Sequence, residues 1–209
     1  MNFEENRSFF LKKFIVGDFN TNCYIVFCRK SHKGLLIDPG AYDKNIVDYI
    51  KKEKITVEYT LNTHGHADHI LGNAIFAFPV LIHSVDEVCL QDPRRNLSAF
   101  SGVKVKVQSA ERLLEDGDIV RVGELQFKII HTPGHSGGSI SILFENILFS
   151  GDTLFFEGIG RTDLPGGDHR TILESIHNRL MILPDFCRVL PGHGSETTIE
   201  HEKQNNPYL

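Results

Sequence analysis

Short apolar runs alternate with a helical repeat in the first part of the chain. Residues 20–27, 33–38 and 56–62 are rich in β-branched, aromatic and aliphatic residues, which is typical of strands. Residues 43–54 lie between the second and third of these runs and place Ile46, Val47 and Ile50 at helical spacing. The pattern therefore predicts three strands with one helix among them.

From residue 118 onward the pattern changes to paired strands. Gly123-Glu124 and Glu145-Asn146 each separate two short apolar runs, which is the signal of a hairpin. The strands predicted for these two hairpins are 119–122, 125–132, 139–144 and 147–149.

Helical spacing returns towards the C-terminus, where residues 168–183 predict an amphipathic helix. A helix at 84–91 is predicted to begin with a capping box, in which Ser84 is the N-cap and Glu87 is the N3 residue. The remaining predicted elements are a helix at 69–78, strands at 80–82 and 188–190, and a terminal helix at 196–204. Together these elements favour an α/β fold in which two mixed sheets pack face to face with helices outside.

Composition and charge are those of an ordinary globular protein. Hydrophobic residues make up 41% and charged residues 23% of the 209 residues, which excludes a disordered chain and a coiled coil. The net charge of −5 predicts neither a nucleic-acid nor a membrane partner, and no apolar run approaches the ~18 residues of a transmembrane helix. The N-terminus has two early acids and no cleavage site, so we expect a cytoplasmic protein.

The four cysteines form no CxxC pair, and we expect them to be reduced thiols. Cys23 and Cys28 lie five residues apart on one predicted strand, so they should point to opposite faces of its sheet.

The chain has 11 histidines, and three of them lie in one short loop after the third predicted strand. His64, His66 and Asp68 alternate there, so an extended loop would place them on one side. His69 would then point elsewhere, which suits a second metal beside the first. A polar loop of capping residues is the alternative, but it would leave these side chains costly to satisfy.

Three further loops each place a ligand-type residue beside a glycine turn at the end of a predicted strand. They contain His135 after Pro133-Gly134, Asp152 after Gly151, and His193 after Gly192. Glycine allows a tight turn, so the next side chain can face a common centre. With the first loop, this makes five histidines and two aspartates, enough for two metals that share one carboxylate.

The order of these residues resembles the metallo-β-lactamase fold superfamily. Within it, residues 158–167 (GIGRTDLPGG), the Pro191-Gly192-His193-Gly194 turn and the C-terminal Asn206-Pro207-Tyr208-Leu209 resemble the compact glyoxalase II-like bacterial hydrolases. The resemblance implies a four-layer αββα sandwich with the metals at one edge between the sheets. It also implies one domain over residues 1–209, without the C-terminal helical domain of longer glyoxalase II enzymes.

The resemblance also implies a ligand set and a cofactor. Two divalent metal ions are expected, with zinc preferred and iron or manganese as alternatives. Asp68 and Asp152 are expected to take part in catalysis, Asp152 as the bridging carboxylate and Asp68 as an aid to proton movement. The implied ligands are His64, His66 and His135 for the first metal, Asp68, His69 and His193 for the second, and Asp152 between them.

The expected activity is hydrolysis of a thioester, S-lactoylglutathione or a related acyl thioester, by a hydroxide that bridges the two metals. Arg161 lies where such enzymes place a basic residue for a glutathione carboxylate, although an ion pair with Asp163 is an equal alternative. Phe155, Phe156 and Leu164 could line the pocket mouth or simply belong to the core.

Other functions remain open at the level of sequence. The main alternative is a mononuclear iron dioxygenase acting on glutathione persulfide, in which His64, His135 and Asp152 would form a facial triad. A non-catalytic metal-binding module is a third possibility. The GRTD segment disfavours β-lactam hydrolysis, and the acidic charge disfavours RNA processing.

Overall fold

The computed structural model describes residues 8–102 and 104–209. Residues 1–7, on which the expectation of no signal peptide rests, lie outside the described residues. Two six-stranded sheets dominate the fold. Within the first sheet, neighbouring strands follow one another in chain order. Its strands are β1 (Phe9–Val16), β2 (Thr21–Cys28), β3 (Lys33–Ile37), β4 (Thr56–Leu61), β5 (Val80–His83) and β6 (Arg112–Leu114).

The second sheet contains both predicted hairpins, and the structure confirms them. Val122 pairs with Leu125 across the first turn, and Phe144 pairs with Ile147 across the second. A small two-stranded sheet of β11 (Leu154–Phe155) and β12 (Gly158–Ile159) stands apart. The second sheet has the order β14-β13-β10-β9-β8-β7, formed by β7 (Ile119–Val122), β8 (Leu125–His131), β9 (Ile140–Phe144), β10 (Ile147–Gly151), β13 (Arg188–Pro191) and β14 (Thr197–Thr198).

Both sheets are mixed, as predicted. In the first sheet, β3, β4, β5 and β6 pair in parallel, while β1, β2 and β3 pair antiparallel. In the second sheet only β10 and β13 pair in parallel. Parallel neighbours need crossover connections, and α-helices lie in three of them, between β3 and β4, between β4 and β5, and between β10 and β13.

The helices are short, and three of them begin with a side-chain cap. Asp43, Asp168 and Thr198 each accept a hydrogen bond from a backbone N–H in the first turn. Two 3₁₀ segments span Ser84–Leu90 and Ser98–Ser101, and a π-helical turn over Ile176–Leu180 continues α4. The α-helices are α1 (Lys44–Lys52), α2 (Ala67–Ile70), α3 (Asn73–Phe76), α4 (His169–Ser175) and α5 (Ile199–Asn205).

The main core lies between the inner faces of the two sheets. Phe127 and Phe144 stack there with ring centroids 4.6 Å apart, and Tyr24 meets Phe149 at 5.2 Å. Separate apolar clusters cover the outer faces, where α1 packs on the first sheet and α4 on the second. The result is the four-layer αββα sandwich that the resemblance implied.

The structure confirms both predictions about the cysteines. All four are free, and the two on β2 lie on opposite faces. Cys23 belongs to the outer cluster beneath α1, whereas Cys28 belongs to the central core.

Several local predictions were wrong. The predicted helix at 84–91 is a 3₁₀ segment, and its N-cap is His83, whose Nδ1 accepts from the backbone N–H of Val85, so the capping box of Ser84 and Glu87 does not form. The predicted helix at 69–78 is divided into α2 and α3. Strands β1, β6, β11, β12 and β14 were not predicted. β11, β12 and β14 have 2 residues each and β6 has 3, too few to form a recognisable pattern, and burial along β1 does not alternate residue by residue. Among the described residues, no helix is long and apolar enough to cross a bilayer.

Candidate metal centre

All seven residues predicted to bind metal lie in loops or first turns that follow strand ends. The first loop follows β4 and runs into α2, so its four members are close in sequence. The other three loops follow β8, β10 and β13. The structure brings the seven together in three overlapping groups: His64, His66 and His135; His64, His69 and Asp152; and Asp68, His69 and His193.

The first group consists of three buried imidazoles. The ring centroid of His66 lies 4.6 Å from that of His64 and 4.6 Å from that of His135. Nδ1 of His66 is 2.9 Å from Nε2 of His135. One donor atom from each ring lies within 4.8 Å of the other two, so a single ion could contact all three.

The group of Asp68, His69 and His193 combines a carboxylate with two imidazoles. Oδ2 of Asp68 lies 3.3 Å from Nε2 of His193 and 3.6 Å from Nε2 of His69. The two Nε2 atoms are 3.3 Å apart. His69 is fully buried, whereas the side chains of Asp68 and His193 are 24% and 27% exposed and face the cavity.

Asp152 lies between the group of three histidines and the group of Asp68, His69 and His193. Its Oδ2 is 3.7 Å from Nε2 of His135 and 3.5 Å from Nε2 of His193. Its Oδ1 is 3.4 Å from Nε2 of His69. This is the position that a carboxylate shared by two metals requires.

The outward ring nitrogen of four histidines is held by a fixed acceptor. Nδ1 of His69 donates to Oδ2 of Asp38 at 3.0 Å, and Nδ1 of His64 contacts the hydroxyl of Thr63 at 3.1 Å. The Nδ1 atoms of His135 and His193 donate to the backbone carbonyls of Arg161 and Phe19, at 2.8 and 3.1 Å. Such partners set the tautomer, so Nε2 of each of these rings faces inward.

Asp38 and Thr63 support this arrangement, and sequence analysis missed them. The hydroxyl of Thr63 donates to Oδ2 of Asp38 at 2.7 Å, and its N–H donates to Oδ1 at 2.8 Å. Asp38 directly follows β3 and precedes Pro39-Gly40. It therefore carries the same signal, an acid beside a glycine turn at a strand end, that identified Asp152.

Asp86 is a second supporting carboxylate that sequence analysis missed. It is buried and accepts from the N–H of Gly65, the N–H of Gly138 and the hydroxyl of Ser136, at 2.9, 2.8 and 2.7 Å. These bonds join the loop after β4 to the loop after β8. The two loops that contribute the first histidine group are therefore held in a fixed relation.

The residues present fit a pair of divalent ions. Nε2 of His64 and Oδ1 of Asp152 are buried, and neither has a hydrogen-bond partner within the described part of the chain. Buried polar atoms are seldom left in this state, and both atoms face the other donors. Imidazole nitrogen and carboxylate oxygen are donors that zinc, iron and manganese accept.

Burial and neighbouring charges shift the pKa values of the cluster. Desolvation, together with the surrounding imidazoles, holds the pKa of His64 well below its usual range and lowers the pKa of His66 to about 3. Burial alone would lower the pKa of His69, but Asp152, Asp68 and Asp38 outweigh it and raise that pKa to about 10. Burial opposes ionisation of Asp68, yet His69 and His193 hold its pKa below the usual range.

Glycine is required at two positions where backbone and site approach closely. A Cβ on Gly192 would lie 2.2 Å from Oδ1 of Asp152 and 2.8 Å from Cε1 of His69. A Cβ on Gly160 would lie 1.8 Å from the backbone oxygen of Asp152. The lack of a side chain at these glycines therefore lets neighbouring loops close around the aspartate.

A cavity of about 810 Å³ opens over the cluster. Phe155 and Leu164 line it, as proposed, whereas Phe156 instead stacks on His201 with ring centroids 4.9 Å apart. Arg161 also lines the cavity, but its Nε and one terminal nitrogen each donate to Asp163 at 2.8 Å. The alternative ion pair with Asp163 is therefore present, in a side chain that also lines the cavity.

His83 and His131 are stacked outside the cluster, with ring centroids 4.1 Å apart. Nε2 of His131 contacts the carbonyl of Gly137 at 2.9 Å. His83 is buried.

A two-sheet sandwich with this cluster at its strand ends defines a class of metal-dependent hydrolases. The sequence profile of the metallo-beta-lactamase superfamily matches residues 16–193, and the chain belongs to that superfamily. Members of the superfamily bind divalent metals.

Relatives are similar over nearly their whole length. A probable metallo-hydrolase of Bacillus subtilis, YqgX, is 37% identical over 201 residues, which cover 93% of this chain and 94% of the relative. Hydroxyacylglutathione hydrolase GloC of Haemophilus influenzae is 32% identical over 203 residues, covering 93% of this chain and 95% of that protein.

Solved structures share the fold. BLEG-1, a B3 metallo-beta-lactamase, is 37% identical with a TM-score of 0.89, covering 96% of this chain and 99% of that one. The di-iron form of TTHA1623 is 31% identical with a TM-score of 0.82, covering 95% and 100%. ETHE1 from Myxococcus xanthus is 28% identical with a TM-score of 0.78, covering 95% and 83%.

Proposed function

We propose that this protein is a metal-dependent hydrolase of acyl thioesters, S-lactoylglutathione or a related compound. The observation that supports this proposal most directly is the place of Asp152, whose two oxygens face both groups of imidazoles. The similarity to hydroxyacylglutathione hydrolase GloC supports the thioester as substrate.

The cofactor is proposed to be two divalent ions, with zinc preferred and iron or manganese as alternatives. His64, His66 and His135 would hold one ion, and Asp68, His69 and His193 the other, with Asp152 shared. Bound there, the ions would lower the pKa of water to supply a nucleophile and would polarise the substrate carbonyl.

The chain's own residues have three roles in this reaction. Asp38 and the carbonyls of Arg161 and Phe19 keep the imidazoles aimed inward, so the site does not have to reorganise as charge develops. Asp68 lines the cavity, and His69 and His193 keep its carboxylate ionised, which is the form that would hold a metal ion; help in moving a proton is the second role proposed for it. The apolar side chains around the cavity limit access of bulk water.

The test begins with metal content per chain, measured by mass spectrometry on protein purified without added metal or chelator. About two ions per chain and turnover of a thioester panel are the expected result. His66→Ala should lose most of both metal and turnover, because the first group would keep only two donors. His177→Ala is the matched control, since His177 is exposed on the turn that continues α4. Wild-type turnover by His66→Ala at full metal loading would refute the assignment.

A mononuclear iron dioxygenase acting on glutathione persulfide is the second candidate. The di-iron form of TTHA1623 shows that iron occupies a protein of this fold at 31% identity. His64, His135 and Asp152 could serve as a facial triad, because Oδ2 of Asp152 lies 3.7 Å from Nε2 of His135. One iron per chain, oxygen uptake with persulfides and no thioester turnover would favour this candidate.

Cytoplasmic localisation remains a prediction, which cell fractionation would test.

A further inference from the structure

Large apolar side chains surround the mouth of the cavity over the metal centre. Phe100 and Phe19 are 77% and 67% exposed, and both line the cavity. Leu97, Phe155, Ile159 and Leu164 complete its apolar wall. Large apolar side chains that are exposed together in one patch are typical of a binding surface.

Phe100 is held in place by a segment tied to the metal centre. Asn96 is fully buried, and its side-chain amide donates to the carbonyls of Cys89 and Val105 at 2.8 and 2.9 Å. Its backbone carbonyl accepts from the N–H of Ala67 at 2.9 Å, between two predicted ligands. The base of the segment is therefore fixed, and its tip presents Phe100 to the cavity.

Phe19 is hydrogen-bonded to His193, which belongs to the group of Asp68, His69 and His193. Its carbonyl accepts the bond from Nδ1 of His193, so the same residue orients a predicted ligand and exposes its ring. The ring of Phe155 lies 6.3 Å from the imidazole of His193. The apolar wall thus begins directly beside the predicted second metal.

Positive charge at the cavity is almost absent. Of the described residues that line it, Arg161 is the only lysine or arginine. Asp163 accepts from Nε and from one terminal nitrogen of Arg161, with two bonds of 2.8 Å, so the pair presents little net charge. A thiol such as glutathione brings two carboxylates and an ammonium group, and for the carboxylates the described lining offers one arginine, which is already paired with Asp163.

We propose that the thiol half of the substrate is an uncharged chain with an apolar group, which packs against Phe19 and Phe100. This inference rests on the proposed thioester hydrolysis and selects among its substrates. The acyl carbon would lie over the ligand cluster, and the apolar end of the thiol would extend to the mouth. Water adds to the carbonyl and the carbon–sulfur bond breaks; one proton of the water leaves with the thiol, and the other passes to solvent as the carboxylate product forms.

The test compares three lactoyl thioesters whose thiols are benzyl mercaptan, N-acetylcysteamine and glutathione, on the metal-loaded protein. We expect kcat/KM for the benzyl ester to exceed that for the glutathione ester by roughly ten-fold, the effect of burying about 55 Å² of apolar surface. Phe100→Ala should remove most of this preference through KM. Phe186→Ala is the matched control, because Phe186 is 66% exposed and lies outside the cavity lining.

The outcomes separate the two proposals. A glutathione ester that is preferred, and that loses its preference in Arg161→Ala, overturns the apolar thiol and keeps the hydrolase. If no thioester is hydrolysed, the proposed function fails, and calorimetry with non-hydrolysable thioethers of benzyl mercaptan and glutathione decides the binding claim. Tighter binding of the benzyl compound that depends on Phe100 supports it, and equal binding overturns it.

Discussion

The carboxylate of Asp38 lies 3.0 Å from Nδ1 of His69, and both side chains are fully buried. The two residues are 31 positions apart: Asp38 directly follows β3, and His69 lies in α2, which follows the neighbouring parallel strand β4. Their contact sets the direction in which His69 presents its other nitrogen to Asp68, Asp152 and His193.

Replacement of this carboxylate should weaken the metal centre without removing a ligand. Asp38→Asn keeps the shape of the side chain but removes the charge that favours His69 in its present orientation. We expect a 10–100-fold loss of metal affinity, which is typical for such outer partners, measured by competition with a chromophoric chelator. Asp185→Asn is the control, because Asp185 is exposed and its carboxylate pairs with Lys203 at 2.7 Å, away from the metal centre. Unchanged affinity in Asp38→Asn would contradict this role.

Metal binding should release a proton at neutral pH. His69 has a pKa raised to about 10 in the metal-free protein, so its ring is protonated at pH 7, and a metal ligand must be neutral. Affinity should therefore rise as the pH increases towards that value. Calorimetric titrations in two buffers with different ionisation enthalpies would measure the protons released. Binding that is independent of both buffer and pH between 6 and 9 would show that His69 is neutral before binding.

A side chain at Gly192 should disrupt the centre. The Cβ of Gly192→Ala would lie 2.2 Å from Oδ1 of Asp152, so the loop that carries His193 would have to move. We expect a reduced metal content by mass spectrometry and a loss of thioester turnover. Gly158→Ala is the matched control, because its Cβ would meet no atom closer than 3.7 Å. Full metal loading of Gly192→Ala would indicate that the loop can shift without cost.

The C-terminal helix should stabilise the hairpin that lines the cavity. Glu202 of α5 is fully buried and accepts from the hydroxyl of Thr197, the amide of Asn206 and the N–H of Glu157, at 2.6, 2.8 and 3.0 Å. Glu202→Ala leaves these donors unpaired, so we expect a loss of about 3 kcal/mol in the free energy of unfolding.

Urea unfolding followed by circular dichroism would measure that loss. Glu200→Ala is the control on the same helix, because Glu200 is exposed and its replacement should change stability by less than about 0.5 kcal/mol. Equal stability of the two variants would mean that water satisfies the donors around position 202.

Local patterns were sufficient for many elements of this fold. The hairpin at Gly123-Glu124 was predicted because its turn residues and the apolar runs beside them lie within a few positions. The strand β1 was not predicted, although it pairs with β2 along all of its 8 residues. It pairs with β2 as a local hairpin, but burial along it does not alternate residue by residue, so its own sequence lacks the period-two pattern that predicts a strand.

The sequence by itself determined that seven candidate ligands follow strand ends, because each loop carries its own turn and donor residues. Only the tertiary structure decided which atoms of those residues face one another. The bond from Nδ1 of His69 to Asp38 decides that Nε2 of His69 faces the other ligands. Asp86, which lies 50 residues from Ser136, fixes the distance between the loops that carry His64 and His135. Contacts over such distances depend on strand register and sheet packing, which no local pattern specifies.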